Sequence, residues 1–127
     1  MTTKTSINNL HHQGADWLRE LEFYKEELAI LTSRLEEVVS KNTDKEILSN
    51  VEHFQNKFIM LREQLDILKH DVNQRNEQLT ELAKTRPEHI DERFTSVSDK
   101  LLARMKDFAH SIADTRFEFN GFLAKTL

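Results

Sequence analysis

Residues 17–38, WLRELEFYKEELAILTSRLEEV, carry apolar side chains at alternating steps of four and three. This spacing puts the apolar side chains on one narrow stripe of an α-helix, and it is typical of helices that pack in a left-handed supercoil. We call these stripe positions the seam. In this segment they are Trp17, Leu21, Tyr24, Leu28, Leu31, Leu35 and Val38.

The middle third of the chain repeats the same steps of four and three over residues 47–82. Arg75 takes the one seam position that is not apolar, so a second amphipathic helix with a polar interruption is predicted. The apolar seam positions here are Ile47, Val51, Phe54, Phe58, Leu61, Leu65, Leu68, Val72, Leu79 and Leu82.

The composition favours long helices over folds with many tight turns. Among 127 residues there are two glycines and one proline, fewer than a fold with many tight turns would need. Charged residues make up 31% of the chain and hydrophobic residues 38%, as suits helices with one wet face. We predict an all-α protein whose residues 1–127 form a single domain.

Two breaks in the apolar pattern predict three helices, over about residues 8–42, 44–85 and 87–120. Thr43 followed three residues later by Glu46 has the spacing of a capping box, which marks a helix start. Pro87 fits the first turn of a helix, where its missing N–H is not needed, and Glu88 suits the positive end of the helix dipole.

The outer ends of this pattern are less uniform. Gly14 interrupts the first seam, and the sequence leaves open whether the first helix begins before or after it. Asn120–Gly121 has the composition of a helix stop with a left-handed glycine.

Short connections between consecutive helices favour an antiparallel up-down-up three-helix bundle of long, coiled-coil-like helices. Folding the chain near residues 42 and 86 brings Trp17 level with Leu68. It also places Arg75 in an end layer with Leu10 and Val97, where we expect the stem to pack and the charged head to reach water.

The third helix has a less regular seam. Its apolar line steps by four twice, from Val97 to Leu101 and on to Met105, which predicts a local unwinding of the supercoil. Toward its end phenylalanines accumulate, and we expect a phenylalanine-rich end of the core made of Phe54, Phe58, Phe117, Phe119 and Phe122.

The charge distribution argues against two classes of partner. The net charge is −4, and no segment carries the basic stripe that phosphate neutralisation requires, so nucleic-acid binding is disfavoured. The same evenness disfavours an anionic membrane surface. With no cysteine and no recognisable signal peptide, we predict a cytoplasmic protein.

Two groups of residues have side chains that could serve as metal ligands. His12 and Asp16 share one helical face beside His11, but two ligands do not complete a site. A second acidic group with one histidine lacks the Glu-x-x-His order of di-iron bundles; it comprises Glu88, His89, Asp91 and Glu92. We predict no metal, no cofactor and no catalysis, and no small-molecule substrate is evident.

Among the apolar residues that lie off the seam, four share one position of the seven-residue repeat. Phe23 and Ile30 are seven residues apart, as are Met60 and Ile67, and each lies about 130° from the centre of its seam. That angle is too wide for a narrow core, so we predict a second contact face. The four residues form one patch or two, depending on the handedness of the bundle. The alternative is a wide core stripe with scattered surface apolar residues.

The segments WLRELEFYKEEL and VEHFQNKF resemble an uncharacterised family of short all-α bacterial coiled-coil proteins, a resemblance that implies no activity. A tryptophan in the first of three long helices is also similar to a spectrin repeat in architecture. We predict a non-catalytic structural or protein–protein interaction module, a homodimer through the off-seam residues. The alternatives are an adaptor that binds a different protein through the same face, and a metal- or ligand-binding bundle.

Overall fold

The protein consists of three long α-helices. The structure, a computed structural model, describes residues 3–85, 90 and 92–126. The helices are α1 (Thr3–Lys41), α2 (Lys45–Thr85) and α3 (Glu92–Thr126), and the described residues contain no strand. The all-α prediction is therefore confirmed. The third helix begins at Glu92 rather than near residue 87 as predicted, and Ile90 lies outside it. Pro87 and Glu88 themselves lie outside the described residues.

Asp44, rather than Thr43, caps the start of α2. Its carboxylate oxygen Oδ1 accepts hydrogen bonds from the backbone N–H of Glu46 at 2.8 Å and of Ile47 at 3.3 Å. The capping box predicted at Thr43 and Glu46 is wrong, because the carboxylate one residue later satisfies two free N–H groups and also faces the positive end of the helix dipole.

Gly14 lies inside α1, which begins before it at Thr3. It is buried against α2. A Cβ atom at this position would lie 2.7 Å from Nη1 of Arg75 and 2.7 Å from Cγ of Asn76. The missing side chain is thus what lets α1 approach α2 closely at this level.

The helix stop predicted at Asn120–Gly121 is wrong. Helix α3 continues to Thr126, and Gly121 keeps a helical backbone. Beyond the glycine, Leu123 is buried in the core and Phe122 packs against it. Continued burial of apolar side chains offsets the roughly 1 kcal/mol that glycine costs within a helix.

The predicted seams of α1 and α2 form the core. Nearly all their members are buried, and Tyr24 and Ile47 are partly buried and pack against the core. The phenylalanine-rich end is formed by Phe54 and Phe119, whose ring centroids lie 5.1 Å apart, with Phe58 5.3 Å from Phe119.

Phe117 is not part of that end, contrary to the prediction. Its side chain is 84% exposed. It precedes Phe119 by two residues, about 200° around the helix, so the burial of Phe119 directs Phe117 to solvent.

The seam of α3 is regular, so the predicted unwinding is wrong. Ser98, not Val97, takes the seam position, and Ser98 is buried whereas Val97 is exposed. With buried Thr115 also included, the steps of four and three continue without a break from Phe94 to Phe119. The two successive steps of four came from counting apolar residues only.

Candidate interaction surface

The four off-seam apolar residues are exposed. The exposed fractions are 59% for Phe23 and 61% for Ile30, which we call the α1 pair. They are 44% for Met60 and 59% for Ile67, which we call the α2 pair. All four lie outside the core, as their angle from the seam predicts. Their role as a contact face stays a prediction.

The α1 pair lies on the side of α1 that faces α3. Glu27 is one helical turn from both Phe23 and Ile30, and its carboxylate forms an ion pair with Arg116 of α3. The ring of Phe23 also lies 5.8 Å from the ring of Tyr24. The α1 pair thus borders the contact between α1 and α3.

The α2 pair lies on the side of α2 that faces α3. Ile67 and Gln64 line an open cavity of about 300 Å³ in the groove between these helices, and Met60 precedes Gln64 by one turn. The α3 residues that line the cavity are Arg104, Asp107, Phe108 and Ser111. The two pairs therefore occupy two separate surfaces, one on each side of α3, which settles the choice that the sequence left open.

A polar layer surrounds Arg75 at the end of the bundle where α1 and α3 begin. Arg75 is only 1% exposed. Its Nε donates to the hydroxyl of Ser98 at 3.0 Å, and Nη1 donates to the carbonyl oxygen of Leu10 at 2.8 Å. Nη1 also donates to Oδ1 of Asn76 at 3.0 Å, and Nη2 donates to Oε1 of Gln13 at 2.7 Å. One guanidinium thus joins all three helices.

The expectation that the head of Arg75 reaches water is wrong. The guanidinium lies 5.0 Å from the ring centroid of Trp17 and 5.1 Å from that of Phe94. Burial lowers the pKa of Arg75, and neutral acceptors together with two aromatic faces take the place of a carboxylate.

Sequence reasoning missed Ser98 and Gln13 as partners of Arg75. The signal for Ser98 was present, since it lies four residues after Phe94 and three before Leu101 in an otherwise apolar seam. A small hydroxyl at a seam position opposite an arginine indicates a hydrogen bond inside the core. No comparable signal marks Gln13, because its contact depends on the length of the arginine side chain.

The other shifted titratable groups are explained by packing between or along helices. Burial raises the pKa of Tyr24 to about 12, and a 2.8 Å hydrogen bond that its hydroxyl donates to Glu20 adds to the effect. Arg104 of α3 donates a 2.8 Å hydrogen bond to Asp71 of α2, and this bond lowers the pKa of Asp71. Each shift follows from a contact that positions a helix.

The candidate metal ligands are not brought together. His11 and His12 are exposed, and Asp16 forms an ion pair with Arg19 one turn away. Across the described residues, no group of three His, Cys, Asp or Glu side chains could hold a metal ion. Of the second candidate group, Glu88, His89 and Asp91 lie outside the described residues, as does the side chain of Glu92.

Comparison with models of known protein families, with curated proteins and with solved structures found no match. None of the helices in the described residues is long and apolar enough to cross a membrane. The resemblance to bacterial coiled-coil proteins stays a prediction, and we infer function from the surfaces of the chain itself.

Proposed function

We propose that the protein is a non-catalytic structural or protein–protein interaction module that self-associates as a homodimer. It acts as an antiparallel up-down-up three-helix bundle with coiled-coil-like seams. Three contacts between helix ends support this arrangement. Arg75, late in α2, bonds to Leu10 early in α1 and to Ser98 early in α3. At the other end, His53 early in α2 contacts Glu118 late in α3 at 2.8 Å.

The observation that carries the proposal is the exposure of four large apolar side chains at seven-residue spacing on two helices. Singly scattered apolar residues are normal on a protein surface, whereas residues repeated on one helical face form a stripe that another helix can cover. A slender bundle has much surface for its volume, so covering such a stripe contributes to its stability.

Sedimentation equilibrium tests the proposal. The wild type is expected to dimerise, and a variant with Phe23, Ile30, Met60 and Ile67 all replaced by lysine is expected to be monomeric. Its circular dichroism should stay helical, because all four side chains are already exposed. A wild type that stays monomeric up to millimolar concentration would contradict self-association.

Phe117→Lys is the matched control. Among the large apolar residues that the structure describes, Phe117 is the most exposed, at 84%, and it belongs to neither pair. If the loss of any exposed apolar side chain weakened association, this variant would dissociate as well. We expect it to remain a dimer.

A second candidate function is an adaptor that binds a different protein through these residues. The separation of the α1 pair and the α2 pair by α3 favours it, because one molecule then presents two surfaces at once. A monomeric wild type that binds one protein at fixed stoichiometry, with affinity lost in the Phe23→Lys, Ile30→Lys variant, would support the adaptor over the homodimer.

A further inference from the structure

We propose that the polar layer around Arg75 is a conformational device, which fixes the level of α3 along α2 and so selects one register of the helices from others of similar stability. This inference rests on the antiparallel arrangement proposed above and does not depend on self-association. The seams of α2 and α3 carry polar side chains at few positions, and the partners of those side chains distinguish one register from another.

The seams of α2 and α3 are in step from one end of the bundle to the other. Nε of Arg75 donates to the hydroxyl of Ser98 at 3.0 Å, and at the phenylalanine-rich end the ring centroids of Phe54 and Phe119 lie 5.1 Å apart. The spacing from Phe54 to Arg75 equals that from Ser98 to Phe119, three seven-residue repeats in each case. Both contacts therefore belong to the same register.

The seam positions between these two contacts do not select that register. They are all apolar in α2, and in α3 they are apolar except for Thr115. Apolar burial depends mainly on area, so a shift of α3 by one repeat still sets apolar side chains against apolar side chains. The hydroxyl of Thr115 does not oppose a shift, because it donates to the carbonyl oxygen of Ser111 in its own helix at 2.8 Å.

A shift by one repeat separates Arg75 from Ser98. In one direction Arg75 comes level with Met105, and Ser98 comes level with Leu82. In the other direction Ser98 comes level with Leu68. Arg75 is 1% exposed and Ser98 is 4% exposed, so the hydroxyl and the Nε group would both be buried without their present partner. Because an unpaired buried polar group is strongly unfavourable, the observed register is preferred over both shifted ones.

Helix α1 is shaped for the same layer. Nη1 of Arg75 donates to the carbonyl oxygen of Leu10 at 2.8 Å, and a Cβ at Gly14 would lie 2.7 Å from Nη1. A shift of α1 by one repeat would bring Ile7 or Leu21 to the level of Gly14, where either side chain would overlap the guanidinium. Three residues separate α1 from α2, whereas six separate α2 from α3. Since a longer connection restricts register less, the layer matters most for α3.

The layer is expected to contribute specificity rather than stability. The hydrogen-bond acceptors of Arg75 are neutral oxygens, so its burial is offset by hydrogen bonds without an opposite charge. Replacing a buried charge and its partner together by apolar side chains is often neutral or stabilising. Gln13 and Asn76 are partly exposed and can bond to water instead of Arg75. A single polar residue in a coiled-coil seam is known to specify register in this way.

A distance between two spin labels tests the proposal. Cysteines in place of Glu52 of α2 and Asp99 of α3, both exposed, give each helix one label, because the chain has no cysteine of its own. In the antiparallel arrangement these positions lie about 35 Å apart, and a shift of α3 by one repeat changes the distance to about 45 Å or about 25 Å. Dilution with unlabelled protein removes distances between molecules, so dimerisation does not affect the result.

The labelled protein with Arg75 and Ser98 intact should show one distance. Arg75→Met, Ser98→Ala should add a resolved second distance near one of the shifted values, while the midpoint of urea denaturation stays equal or rises. A single distance in this variant, or a lower midpoint, would overturn the proposal. If the labelled protein with the layer intact lacked the distance of about 35 Å, the antiparallel arrangement itself would be rejected.

Thr115→Val, in the same labelled protein, is the matched control. Thr115 is as buried as Arg75, at 1%, but its hydroxyl bonds within α3 alone. Its removal should therefore leave the single distance unchanged. A second distance in this variant would mean that polar seam residues restrict the register whatever they bond to, and the assignment to Arg75 and Ser98 would be overturned.

Discussion

The core has two ends that are built on different physical principles. At one end Phe54, Phe58 and Phe119 pack ring against ring, and the layer is apolar throughout. At the other end Arg75 is buried and held by hydrogen bonds to Ser98 and to neighbouring α1 groups. The buried rings of the apolar end follow the hydrophobic pattern of the sequence, whereas that pattern misses the seam position of Ser98 and the burial of the Arg75 head at the polar end.

The difference lies in how directional the interactions are. Apolar burial depends mainly on area, so neighbouring registers of an apolar layer differ little in energy. A guanidinium that donates to both α1 and α3 is satisfied at one level along α2 only, because hydrogen bonds lose strength steeply with distance and angle. The polar layer is therefore expected to restrict how the helices slide, while the apolar end supplies most of the stability.

The largest effect is expected at the apolar end. Phe119→Ala should lower the free energy of unfolding by about 3–5 kcal/mol, because it removes a buried ring and leaves a cavity. Phe117→Ala, on the opposite side of the same helix, should change it by no more than about 0.5 kcal/mol. Urea denaturation measures both. Similar losses for the two variants would mean that the burial of the α3 face is misassigned.

A smaller effect is expected at the polar end. Ser98→Ala removes the acceptor for Nε of Arg75 and should cost about 1.5–3 kcal/mol, since a charged donor would be left buried without a partner. Ser96→Ala, at an exposed position of α3, is the control and should be nearly neutral. If Ser98→Ala proved equally mild, then water would have to reach the guanidinium, and the layer would not be closed.

These two ends also show how much of the fold could be predicted from sequence. The three helices and the seams of α1 and α2 follow from periodicity, since apolar side chains on one stripe must be buried together. Ser98 was left out of the predicted seam, and Val97 was taken instead, because only apolar residues were counted as core positions. Such a count fails wherever a core position is filled by a side chain whose polar atom bonds to another core residue.

For the candidate interaction surface too, sequence predicts one property and not another. The exposure of Phe23, Ile30, Met60 and Ile67 follows from their angle to the seam and needs no three-dimensional information. Their division between two sides of α3 does need it, because sequence periodicity fixes the angle on each helix but not the direction in which the chain turns. The cavity beside Ile67 likewise requires the side chains of two helices.

The two glycines give a finer comparison, one at each end. At the polar end, Gly14→Ala would bring a methyl group to 2.7 Å from Nη1 of Arg75, so the hydrogen-bonded layer must shift. Overpacking of this kind lowers the free energy of unfolding by about 1–3 kcal/mol. The higher helix propensity of alanine offsets about 1 kcal/mol of this, so we expect a net loss of about 1 kcal/mol. Thermal denaturation should show the loss. An unchanged stability would indicate that Asn76 moves aside without releasing Arg75.

The smallest effect, and the only gain, is expected for Gly121→Ala. A Cβ at Gly121 has nothing within 4 Å, and the residue is exposed and helical, so alanine should raise the free energy of unfolding by about 0.5–1 kcal/mol. Ala103→Gly, exposed in the same helix, should lose a similar amount.

The sign of the Gly121 effect decides between two physical states of the last turn of α3. In a continuous helix, alanine is favoured over glycine because it restricts the unfolded chain and adds no strain. If the chain left the helix at Gly121 in the left-handed conformation that the sequence suggested, alanine would be strained there and the protein would lose stability. Amide hydrogen exchange of residues 122–126 would then be fast, whereas protection comparable to the preceding turn would indicate that burial of Leu123 extends the helix.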